Sequence, residues 1–255
     1  MTEASALPIL AIARESYHWI RRNAALLTLP LVLLCIADMA IGYLSAQDTS
    51  RSMLWQGLAP FWPIVGSLID ISFVVGLHRT LILDEVRSGP AFFRWDRYLF
   101  RYAVATILFS LMLIGSALLL VWAAHGLLAD LQSLPAWQWA ALIVLAVPVV
   151  YLILRVSLAF AAAAVGERKI FRLSWRATSG LIPLRLLALV ILVLIPPIIA
   201  GIIILTPIYL ASGADSPAFL AFDAIIEAAA TVLMTVAVSL CYRILMPLSP
   251  DPASS

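Results

Sequence analysis

Fifteen of the sixteen Lys and Arg residues fall on one side of six long apolar stretches, in alternate gaps or at the stretch ends that border them, and this sorting constrains the fold more than any other feature. Arg14, Arg21 and Arg22 precede the first stretch. Arg79, Arg87, Arg94, Arg97 and Arg101 cluster between the second and third. Arg155, Arg168, Lys169, Arg172, Arg176 and Arg185 cluster between the fourth and fifth, and Arg243 lies near the end of the sixth. Only Arg51 occupies a gap of the other parity. A membrane span needs roughly 20 apolar residues, and the stretches predict spans at about 24–46, 61–83, 102–127, 139–162, 184–210 and 219–246. Short loops rich in Lys and Arg stay cytoplasmic, so both termini are expected in the cytoplasm.

Composition supports lipid as the solvent. The chain is 64% hydrophobic and 12% charged, with a mean hydropathy of +1.05, against roughly 45–50% apolar and about 25% charged in soluble domains. Charge is sorted by side rather than in total, so the basic clusters read as topology determinants near anionic lipid rather than as a nucleic-acid surface. Cys35 and Cys241 lie inside apolar stretches and make no disulfide framework. No removable signal peptide is expected, since Glu3 and no basic residue precede the first apolar patch. Turn formers at 47–50, 132–135 and 212–217 mark the outer loops. The tail 248–255 is expected to be disordered.

Each cytoplasmic stretch before an odd-numbered span reads as an amphipathic interfacial helix. In the first, Leu10, Ala13, Tyr17 and Ile20 share one face, and Arg14, His18 and Arg21 another. In the second, Phe92, Trp95, Leu99 and Tyr102 repeat beside Arg94, Arg97 and Arg101. In the third, Ile170, Leu173, Ala177 and Leu181 oppose Arg168, Arg172 and Arg176. An arginine closes the second span of each hairpin: Arg79, Arg155 and Arg243. The expected architecture is therefore all-α and polytopic, a single transmembrane domain over 1–255. It has six spans in three hairpin units, about 5–86, 87–165 and 166–247.

Arg155, Gly166, the run Phe171-Arg172-Leu173-Ser174-Trp175-Arg176-Ala177-Thr178-Ser179-Gly180 and then Leu184-Arg185-Leu186-Leu187 carry a family likeness. An arginine closes a span, a short helix carries Ser-Trp-x-x-Thr-x-Gly, and a new span begins. This resembles the six-span membrane domain fused to some glycerophosphoryl diester phosphodiesterases, and similar uncharacterised bacterial inner-membrane proteins. The match covers about residues 150–195. It implies a helical bundle in a bacterial inner membrane and imports no catalysis, because the diesterase chemistry belongs to a separate soluble barrel. His78-Arg79 is similar to that enzyme's first motif, but it ends an apolar span and lacks the following glycine, so it is read as coincidence.

Charges inside a membrane are costly and usually face the bundle interior or a wet cavity. Asp38 and Asp70 fall near the middle of the first two spans, where they either share a proton or a cation or bond locally, as Asp70 to Ser67. Asp223 and Glu227, four apart, share a face toward the outer side, as an ion site or a wet vestibule. Arg79, Arg155 and Arg243 stand at inner-interface depth, where they snorkel to lipid headgroups or form a ring around a lipid phosphate. Trp175 and Arg176 join them as headgroup contacts. Trp175 is either an interfacial anchor or a cation–π partner of a neighbouring arginine. Pro30, Pro148 and Pro196-Pro197 kink their spans.

His18, His78 and His125 stand apart, with no second ligand at metal spacing, and no phosphate loop follows a strand. No catalytic residue, metal or cofactor is expected. The leading expectation is a non-enzymatic inner-membrane protein that binds or organises membrane lipids or other membrane proteins. The alternative is a small-solute or proton-coupled transporter built on the four carboxylates.

Overall fold

The structure is a computed structural model that describes residues 7–46, 61–125, 136–213 and 216–246. The loops expected at 47–50 and 132–135, Arg51, the tail 248–255 and the side chain of His125 lie outside the described residues. All regular elements among the described residues are helical. They are α1 (Ile9–Arg22), α2 (Ala24–Ala46), α3 (Trp62–Leu83), a 3-10 turn (Gly89–Phe92), α4 (Arg97–His125), α5 (Ala136–Val156), α6 (Leu158–Val165), α7 (Ile170–Ala177), α8 (Ile182–Ser212) and α9 (Pro217–Leu245).

Six helices are long and apolar enough to cross a membrane: α2, α3, α4, the α5–α6 pair, α8 and α9. Their positions follow the apolar stretches closely, because in hydrocarbon every backbone N–H and C=O must be satisfied within the segment. The fourth bends at Ser157, whose hydroxyl donates to the Leu154 carbonyl at 2.9 Å. The fifth, α8, has 31 residues, about 46 Å at 1.5 Å per residue, and so exceeds a hydrocarbon core of roughly 30 Å.

The helix expected over 92–102 is not what forms. Residues 89–92 make the 3-10 turn, an irregular link follows, and α4 starts at Arg97. Two causes are visible. Pro90 sits in the turn, and the Arg94 N–H donates to the Ser72 carbonyl at 3.2 Å, drawing the link onto α3. Gly76 makes room for this approach, since a Cβ there would stand 2.2 Å from the Phe92 carbonyl oxygen. Phe92 and Phe93 stack on Phe73 at 5.3 and 6.0 Å. Asp96 then caps α4, its carboxylate accepting from the Tyr98 N–H at 2.9 Å.

The buried face of α1 also differs from the expected one. Ile12, Ala13 and Ser16 are buried against α8 and α9, whereas Leu10 is 75% exposed. The buried stripe is turned away from Leu10 because α1 folds back onto two spans instead of lying free.

Helix α9 is the hub: it packs against α1, α2, α3, α6 and α8. Burial is concentrated near the arginine-rich ends, in Phe73–Ile82, Leu154–Ala164 and Val232–Tyr242. Farther along, α4 and α8 expose Leu111, Ile202 and Ile203, as lipid-facing surface requires.

Candidate functional site

Helices α2, α3 and α9 pack pairwise against one another, and each brings one acidic side chain to the shared region. Asp38, Asp70 and Glu227 lie close enough for their charges to interact: Asp38 with both others, and Asp70 with Glu227. Asp38 is eight residues from the Ala46 end of α2, Asp70 eight from the Trp62 end of α3 and Glu227 ten from the Pro217 end of α9. Asp38 and Asp70 are half-buried and Glu227 is exposed. None of the three makes an ion pair or a hydrogen bond among the described residues.

The sequence pairs Asp38 with Asp70 and, separately, Asp223 with Glu227. In the structure the charge of Glu227 reaches both Asp38 and Asp70, and Asp223 lies one turn nearer the Pro217 end of α9. Ser67 is not a partner of Asp70, since its hydroxyl donates to the Pro63 carbonyl at 2.8 Å. Among the described residues no three His, Cys, Asp or Glu side chains come together closely enough to hold a metal ion.

Arg79, Arg155 and Arg243 have different surroundings. Arg79 is buried. It donates to the Ala164 carbonyl at 3.0 Å near the end of α6, pairs with Glu85, and lies over the Tyr98 ring at 3.9 Å. Arg243 is exposed and donates to the Leu81 carbonyl at 3.1 Å near the end of α3. Arg155 is buried and donates to the Thr178 carbonyl at the end of α7. Each guanidinium therefore meets a carbonyl at the C-terminal end of a different helix, where the partial negative charge of the helix collects.

Around Arg79 the ionic partners form a chain: Glu85 also meets Arg94 at 3.1 Å, and Arg94 meets Asp96 at 3.1 Å. Sequence reading did not single out Glu85 or Arg94. The fold makes the chain through Asp84, whose left-handed φ of 54° ends α3 and turns Glu85 back toward Arg79. Arg79's hydrogen bond, followed by the charges of Arg79, Arg94 and Arg87, holds the Glu85 carboxyl below its ordinary range against the opposing effect of burial. The α6 terminus next to this chain needs Gly166 (φ 92°), whose N–H bonds the Ala163 carbonyl while its own carbonyl accepts from Arg101 at 2.7 Å.

Trp175 is a cation–π partner, but of a distant arginine. The Arg155 guanidinium lies 4.2 Å from its ring centroid. Ser174 and Thr178 both donate to the Arg155 backbone carbonyl, at 2.7 and 3.0 Å, and so pin α7 to the end of α5. Arg176 is exposed, with no ion pair among the described residues.

His78 is buried, with Nδ1 2.7 Å from the Ser239 Oγ. That hydroxyl donates to the Thr235 carbonyl at 2.7 Å, so we assign the proton to Nδ1, which donates to Ser239. The pair cross-links α3 to α9, and Ser239 has no exposed surface from which to act as a nucleophile.

No protein-family model, curated protein or solved structure matches this chain. The geometry therefore stands alone as the basis for a functional reading.

Proposed function

We propose that this chain is a non-enzymatic, multi-pass protein of a bacterial inner membrane, with both termini cytoplasmic, that exchanges protons at Asp38, Asp70 and Glu227 during movement of a small solute. The observation that carries this reading is that three mutually packed spans each carry a carboxylate whose charge reaches the others, without a cationic partner among the described residues. Carboxylates at membrane depth must be neutralised by a proton or a cation, and taking up or releasing that proton or cation is the elementary step of coupled transport. The sorting of arginines supports the orientation. The three hairpin units, the interfacial placement of α1 and α7, and the resemblance over residues 150–195 belong to the same proposal.

Infrared difference spectroscopy of the protein in nanodiscs, titrated with acid, tests it. We expect carboxyl bands that change with pH in the native chain and vanish in the variant with Asp38→Asn, Asp70→Asn and Glu227→Gln. The same variant should lose proton movement in liposomes loaded with a pH-sensitive dye. Identical difference spectra in the native and triply substituted proteins would show that the trio is inert.

A second reading, a lipid- or partner-organising role, rests on the exposed Arg168, Lys169, Arg172 and Arg176 around α7, none of which has an ion-pair partner among the described residues.

A further inference from the structure

The buried arginines Arg79, Arg94 and Arg155 differ in one respect. Arg79 and Arg94 have carboxylate partners. Arg155 is 7% exposed and has none among the described residues, and its Nε is the one buried side-chain polar atom among them without a hydrogen-bond partner. Its compensation is the Thr178 carbonyl at the end of α7, the Trp175 ring at 4.2 Å and the Tyr151 ring at 5.8 Å. A helix C-terminus carries roughly half an elementary charge, and an aromatic face carries no net charge. The site is therefore short of negative charge, and a buried charge is stable only when paired and hydrogen-bonded.

The surroundings indicate the missing partner. Trp175 is 46% exposed while stacked on the buried guanidinium, so the indole is the layer between Arg155 and the outside. Arg168, Lys169, Arg172 and Arg176 are all exposed on the same short segment. A guanidinium with a free N–H, exposed cations on the segment that covers it and an aromatic cover at the end of an apolar helix match an anion that carries its own apolar tail. We propose that the α5–α7 junction binds the phosphodiester of an anionic phospholipid. The phosphate accepts from Arg155 once Trp175 swings aside, and the exposed cations on and just before α7 attract the anion and share its single negative charge. This site is independent of the carboxylate trio.

Native mass spectrometry of the detergent-purified protein, titrated separately with phosphatidylglycerol, phosphatidylcholine and inorganic phosphate, tests the proposal. We expect one phosphatidylglycerol retained by the native chain, in preference to phosphatidylcholine and undisturbed by inorganic phosphate. Retention should fall about tenfold, the equivalent of one lost charged contact, in Arg155→Gln. Because Arg155 also holds α7, a second variant, Arg168→Gln with Lys169→Gln, Arg172→Gln and Arg176→Gln, leaves that anchor intact and should weaken retention similarly. Unchanged retention in both variants overturns the proposal, as does equal retention of phosphatidylcholine. Displacement of the lipid by inorganic phosphate assigns the site to a free anion and overturns the lipid.

Discussion

The Tyr17 hydroxyl donates to the backbone carbonyl of Val193, 3.0 Å away and 176 positions along the chain. The acceptor is available for a definite reason. In an unbroken helix the Val193 carbonyl would receive the N–H of residue 197, but residue 197 is proline and has none. Pro197 is buried, and so is Val193, so water cannot easily satisfy the freed oxygen. Helix α1 supplies the missing donor, and its docking on α8 follows from the kink.

That relationship predicts a double-mutant cycle. Tyr17→Phe should cost about 1 kcal/mol, the usual net value of one such bond. In a Pro197→Ala background, where the helix supplies its own N–H, the same substitution should cost clearly less. Thermal unfolding of the four proteins in one detergent measures the coupling. Equal cost in both backgrounds would separate Tyr17 from the kink.

Gly76 should tolerate no side chain. Its Cβ would stand 2.2 Å from the Phe92 carbonyl oxygen, which is backbone and cannot rotate away. Gly76→Ala should destabilise by about 2 kcal/mol, in the range of overpacking, and lower the unfolding temperature. Gly115→Ala, which meets nothing within 4 Å, is the control and should be neutral or slightly stabilising.

Stability should fall with acid through Glu85. Its carboxyl is held below the ordinary glutamate range in the folded chain, so the folded state binds this proton less readily than the unfolded one. The contribution is therefore complete above the ordinary value of about 4.3 and is lost as pH falls through the lower folded value. Glu85→Gln should be less stable than the native chain at neutral pH, and the difference should close in acid. Unfolding temperatures of both proteins across that range measure it; a pH-independent difference would mean that Glu85 acts only through packing.

Ser239→Ala should remove the α3–α9 cross-link and leave the buried His78 Nδ1–H without its acceptor. Interhelical hydrogen bonds of this kind average roughly 0.6 kcal/mol in membranes, and the stranded imidazole makes a value near 1 kcal/mol the expectation. A drop in unfolding temperature, with the helical circular dichroism retained, is the readout.

Asp38, Arg155 and Trp175 show what could be read from the chain. Each was legible as a singular residue, since a carboxylate in an apolar run, or a tryptophan beside arginines, is conspicuous wherever the spans fold. Their partners were not legible. Glu227 pairs by spacing with Asp223, yet in the fold its charge also reaches Asp38 and Asp70. Trp175 has two arginines within three residues, yet stacks on one twenty positions earlier. Helix periodicity says which residues share a face. It does not say which neighbour that face meets.

The sequence by itself determined the number and place of the helices long and apolar enough to cross a membrane, because the free energy of moving a segment into hydrocarbon is nearly a sum over its own residues. The same holds for the sorting of arginines to alternate gaps, which is local to each loop. Only the tertiary structure decided that the link at Phe92–Asp96 leaves the helix to lie on Gly76. It also decided that the three repeated arginines part company, and that α1 bonds the carbonyl left open by Pro197. Those outcomes depend on the rotation and docking of helices far apart in the chain, where many weak packing contacts compete and no single residue type carries the signal.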